Sequence, residues 1–153
     1  MALYLVQHGK SLPKDRDPDQ GLSEEGIAET RRMADLAKDH GVGVSQIRHS
    51  VKTRARQTAE IFAKALNPKK GIEEVSGIKP LDDVVKYATR IDPEKNIMLV
   101  GHLPFMERMT SYLITGSADK PVFKFQNSGV VCLDKGAEGQ SWVILWTLMP
   151  NIG

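Results

Sequence analysis

ALYLVQHG (residues 2–9) and its echo NIMLVGHLP (residues 96–104) decide how this chain is read. In each, a short apolar run bounded by glycine or proline reads as a buried strand, and in each the run ends in a histidine, His8 or His102. A single histidine at a strand end is most simply a half-buried side chain satisfied by a neighbour. Two strands with the same ending carry more weight, because ligands of open α/β sheets bind in the crevice outside the carboxyl ends of the strands. His8 and His102 are therefore candidates for facing one crevice.

Working outward, strand-like and helix-like segments alternate, the pattern of an α/β fold with a mainly parallel sheet. The stretch KSLPKDRDPDQG (10–21) has too much Pro, Asp and Gly for regular structure. Ser23 caps a helix with Glu24 and Glu25 in its first turn, and Gly41 stands where a helix end wants a left-handed residue. A strand over 44–48, a helix over 52–66 ended by NPKKG, a weak strand at 72–76 and a helix over 81–91 follow. The strand KNIMLVGH (95–102) leads into a helix with Pro104 in its first turn and Gly116 just past its end. The tail, GVVCLDK (129–135) and SWVILWTL (141–148) joined by GAEGQ (136–140), reads as a hairpin. The expectation is one three-layer α/β/α domain over residues 1–153, its mainly parallel central sheet closed by a C-terminal antiparallel hairpin.

Bulk properties narrow the function. With 153 residues, 41% hydrophobic and 26% charged, the chain is an ordinary globular protein, and a net charge of +2 suits an anionic ligand without asking for nucleic acid or a membrane. Its single cysteine, Cys132, lies in an apolar strand and reads as an inert core thiol, as suits a reducing cytoplasm. The apolar start, residues 2–6, is too short for a signal peptide or a membrane span, so a cytoplasmic protein is expected. The four histidines and one cysteine follow no zinc spacing, and neither metal nor cofactor is expected. His40, before Gly41 at a helix end, and His49, beside Ser50 at a strand end, are read as structural.

The stretch HSVKTRARQTAEIFAKAL (49–66) adds a cation to the histidines. Helix positions two apart are turned by about 200°, so Lys52 and Arg56 share one side while Arg54 points away from both. Arg54 instead lies in line with Thr58, Ile61 and Ala65, beside the apolar row Ala55, Ala59, Phe62 and Leu66. A guanidinium at the start of a buried face needs either a carboxylate or an anionic ligand. The helix N-terminus, which also favours negative charge, weighs toward the ligand.

QHGKS (7–11), LSEEG (22–26), HSVKTRARQTAE (49–60) and VGHLPF (100–105), in this order and spacing, resemble the histidine phosphatase superfamily, with its phosphoglycerate mutase-like fold. The short chain and the HGKS opening resemble its SixA-type phosphohistidine phosphatase branch. The resemblance implies that His8 takes the phosphoryl group and that Gln7, Arg54 and His102 line the phosphate pocket. It implies as partner a phosphorylated small molecule or a phosphohistidine-carrying protein. Those roles suit the chemistry: phosphoryl transfer needs positioning and cations against the equatorial oxygens, and neutral imidazole is a competent nucleophile near pH 7.

The chain departs from the family pattern at Gln7, where the opening triplet has arginine, and at Gln20, where an arginine is common. A neutral hydrogen bond in place of a charged one costs about 1–2 kcal/mol, roughly 5- to 30-fold in rate if felt in the transition state. Lys10, Arg48 and Lys52 are the nearby cations that could restore the charge. Glu73, Glu74, Asp82 and Asp83 are the candidates for a general acid, although helix-end charge explains the two aspartates equally well. Two functions stand: a phosphatase working through His8, and a weak or inactive member that binds phosphate or a phosphorylated partner.

Overall fold

Period-two alternation in the first strand, β1 (Ala2–Gln7), sends Leu3 and Leu5 to one face of the sheet and Tyr4 and Val6 to the other, and all four are buried. A strand buried on both faces needs a helical layer on each side. The computed structural model, which describes residues 2–137 and 141–152, has that arrangement. On one face Tyr4 and Val6 pack with Met33 and Ala34 of α1 (Glu24–Asp39) and with Ala55, Ala59 and Phe62 of α2 (Thr53–Leu66). On the other, Leu3 and Leu5 pack with Val84 and Tyr87 of α3 (Val84–Ala88) and with Phe105, Met106 and Met109 of α4 (Phe105–Thr115).

The remaining strands are β2 (Gln46–His49), β3 (Ile72–Glu74), β4 (Ile97–Gly101), β5 (Val130–Lys135) and β6 (Trp142–Leu148), in the sheet order β3-β2-β4-β1-β5-β6. The first four strands in that order run parallel, and β5 and β6 add an antiparallel pair. The carboxyl ends of β2, β4 and β1 therefore lie side by side, with β1 and β4 in the register Gln7↔Gly101. No helix among the described residues is long and apolar enough to cross a membrane.

Local chemistry sets the boundaries. Ser23 accepts the N–H of Gly26 at the start of α1, a cap worth about 1 kcal/mol, and Gly41 and Gly116 take positive φ after their helices. The helix read over 81–91 is shorter, Val84–Ala88. The Asp83 carboxylate accepts from Val85 and Lys86 N–H and so fixes the start there, while Asp82 holds Lys79 N–H in the preceding turn. The second strand lies at 46–49 rather than 44–48, in register with β4 through Gln46↔Ile97. Residues 138–140 of the expected hairpin turn lie outside the described residues, although the hairpin pairing itself is present.

Candidate active site

Because β1 and β4 are parallel neighbours in register, the chain leaves both at the same level. His8 N–H donates to Gly101 O at 2.9 Å, and the His8 and His102 rings stand 5.1 Å apart between centroids. The adjoining strand end delivers Ser50, whose Oγ lies 2.8 Å from His102 Nε2. Arg54, in the first turn of α2, donates from Nε to His8 Nε2 at 3.3 Å. The two histidines and the arginine singled out from sequence thus meet at one point.

Hydrogen bonding fixes the proton of His8. His8 Nδ1 lies 2.7 Å from Gly9 O, and a carbonyl can only accept, so Nδ1 carries the hydrogen and Nε2 presents a lone pair toward Arg54. The Ser50 hydroxyl receives Lys52 N–H at 3.3 Å and has its own proton to give to His102 Nε2. If the serine donates, the His102 hydrogen lies on Nδ1, which is buried without a partner. Gln7 Oε1 is likewise buried and unpaired.

Burial keeps both rings neutral. It pushes His8 down to about 4, opposed by the Gly9 bond and assisted by the Arg54 charge. It pushes His102 down to about 3, assisted by His8, Arg54 and Lys52. Arg54, also lowered by burial, remains charged, and no carboxylate among the described residues forms an ion pair with it. The resulting cluster holds a bare imidazole nitrogen on His8, a guanidinium and the unpartnered Nδ1 of His102, which together suit an oxyanion.

Further residues support the cluster, of which Asn127 and Ser128 escaped the sequence reading. Thr58 donates to Arg54 O at 2.8 Å and accepts from Gly9 N–H at 2.9 Å, tying the arginine's turn to the histidine's loop. Asn127 Nδ2 donates to His8 O at 2.9 Å, and Ser128 N–H to Gln7 O at 2.9 Å. Gly9 is required by packing, since a Cβ there would stand 2.5 Å from Thr30 Oγ1. Thr58 lies one turn after Arg54, a visible signal; Asn127 had none.

The other candidates lie outside this cluster. Lys10 is paired with Glu25 at 2.7 Å and Glu29 at 3.6 Å, and Arg48 with Gln46 at 3.1 Å and Glu73 at 3.8 Å. Asp82 and Asp83 are engaged around the start of α3, and Glu73 and Glu74 are exposed on edge strand β3. None of these four carboxylates bonds to His8, Arg54 or His102. His49 is buried, with Nδ1 2.9 Å from Ser50 O, and Cys132 is a buried thiol pushed up to about 11 by burial.

Residues 3–79 match the sequence profile of the histidine phosphatase superfamily (branch 1). The chain is 25% identical to the phosphohistidine phosphatase SixA of Escherichia coli (strain K12), over 98% of this chain and 94% of that protein. Its fold is similar to that of the protein histidine phosphatase SixA complexed with tungstate, with a TM-score of 0.83 and 24% identity over 98% of this chain and 97% of the other. The alpha-ribazole phosphatase of Shigella flexneri has the same fold, with a TM-score of 0.76 and 14% identity over 100% and 98% of the two chains.

Proposed function

The chain belongs to the histidine phosphatase superfamily, and from that premise we propose that it hydrolyses phosphoryl compounds through a phosphohistidine formed on His8. The observation that carries the reading is the bare Nε2 of His8, oriented by Gly9 O and faced by Arg54 at 3.3 Å. On substrate binding the guanidinium turns from that nitrogen to the phosphoryl oxygens, and His102 Nδ1–H takes another. His8 Nε2 then bonds to phosphorus as the bond to the leaving group breaks. Water attacks the same phosphorus in the second step, the P–N bond breaks, and inorganic phosphate and neutral His8 are released.

The substrate class we favour is phosphohistidine on a protein, with a small phosphoester as the alternative. The carboxylates near the start of α3 are committed to backbone N–H groups, which suits a labile P–N bond that needs little help from a general acid. The similarity to SixA supports the same choice, and a cytoplasmic setting fits both. Incubation with a phosphoramidate, an alkaline quench and peptide mass spectrometry test the mechanism. Phosphate on the peptide containing His8 is the expected result, and turnover with no phosphate on it overturns the proposal.

The lowered pKa makes a pH prediction. The nucleophile must be unprotonated, and its folded pKa lies near 4, so kcat/KM should hold as pH falls through 6.5 and decline only toward 4. A pH–rate profile with an acid limb near 6.5 assigned to His8 would contradict this.

Gln7 motivates the second reading, a protein that binds phosphate with little or no turnover. Its amide is neutral and its Oε1 has no donor. Gln7→Arg should raise kcat/KM by roughly 5- to 30-fold if the natural chain is a slow enzyme. If neither form hydrolyses a phosphoramidate or an aryl phosphate while both bind inorganic phosphate, the binding reading holds.

A further inference from the structure

The phosphoryl group carries up to two negative charges, whereas Arg54 is the one cation bonded to His8 among the described residues. Of the three cations that could add charge, Lys10 is held by Glu25 and Glu29, and Arg48 by Gln46 and Glu73. Arg56, on the exposed side of the same helix, is held by Glu60 at 3.3 Å. Lys52 has no carboxylate partner among the described residues, and the first turn of α2 contains no acid.

Position singles out Lys52 as well. Its backbone N–H donates to Ser50 Oγ, and that oxygen bonds His102 Nε2 at 2.8 Å, so the lysine is anchored one residue link from a ring of the site. We propose that Lys52 is the second cation of the phosphoryl site, closing on a non-bridging oxygen from the His102 side and supplying charge that neutral Gln7 does not. The proposal rests on the phosphatase reading for the identity of its ligand. Burial first, then the charges of His8 and Arg54 and last that of Lys52, lower the His102 pKa, in keeping with a lysine anchored beside that ring. An ammonium on a flexible four-carbon stem also suits a role in which the cation swings in when the anion arrives.

The test measures the affinity of inorganic phosphate by calorimetry, and kcat and KM with a phosphoramidate, for the wild type, Lys52→Gln, Lys52→Arg and Arg56→Gln. Lys52→Gln should weaken phosphate binding about 5- to 10-fold at low ionic strength, and the loss should shrink to below about twofold in about 0.5 M salt. Lys52→Arg should remain within about threefold of wild type, Arg56→Gln should be unchanged, and His102 should titrate higher in Lys52→Gln by histidine NMR. Equal phosphate affinity in Lys52→Gln and Arg56→Gln, with His102 unmoved, overturns the proposal. If the wild type binds phosphate but hydrolyses nothing, the phosphatase reading fails and the binding comparison still judges Lys52. A wild type that does not bind phosphate overturns both.

Discussion

His8→Ala should lower kcat/KM by at least about a thousandfold, because in the proposed mechanism it removes the atom that bonds to phosphorus and leaves no substitute of equal reach. A rival nucleophile in the cluster is Ser50, whose Oγ lies 2.8 Å from His102 Nε2 in the manner of a serine activated by a base. Prior engagement argues against it: Ser50 Oγ already bonds Lys52 N–H and His102 Nε2, whereas His8 Nε2 is faced by the Arg54 guanidinium alone. Ser50→Ala should therefore leave the phosphorylated His8 intermediate detectable, while His8→Ala abolishes it. The His8 ring bonds its neighbour Gly9 through Nδ1 and the partly exposed Arg54 through Nε2, so alanine should fold with little change in melting temperature and bind phosphate through Arg54. Residual turnover above a tenth of wild type in a folded His8→Ala protein would transfer the chemistry to another group.

How much of this arrangement the sequence discloses depends on what kind of interaction creates it. The histidines were legible because they end apolar runs, and burial on two faces is a property of the runs themselves. Arg54 was legible because helical periodicity separates it from Arg56, which the structure leaves exposed while half-burying Arg54; Lys52, extended at the N-cap, lies outside that periodicity. The anchor of the His8 tautomer was invisible for the opposite reason: it is the carbonyl of Gly9, and every residue has one. Asn127 reaches His8 O across 119 positions of chain, a pairing set by how β5 returns beside β1 and not by any local pattern. The shortened α3 belongs to a third kind. Its residues are compatible with a longer helix, and the Asp83 side chain chooses the starting point by binding two N–H groups.

Arg54→Ala should reduce kcat/KM by roughly 100- to 1,000-fold, the scale on which a preorganised donor aimed at developing charge acts. Arg54→Lys should recover little of it. The guanidinium presents several N–H groups in a rigid plane and can span two phosphoryl oxygens, while an ammonium at the same Cα offers a point charge that cannot match both. Thr58 fixes the backbone from which this plane projects by bonding Arg54 O and Gly9 N–H together, so a shorter or differently shaped cation inherits the location but not the aim. The pH profile provides a second reading. The Arg54 charge helps to lower the His8 pKa, so its removal in Arg54→Ala should move the acid limb of kcat/KM upward from about 4, whereas Arg54→Lys, retaining a cation, should move it less. An arginine acting only as a structural prop would lower stability and activity together and leave that limb in place. If Arg54→Lys works at more than a third of the wild-type rate, charge alone is sufficient and the planar geometry has no special part in transfer.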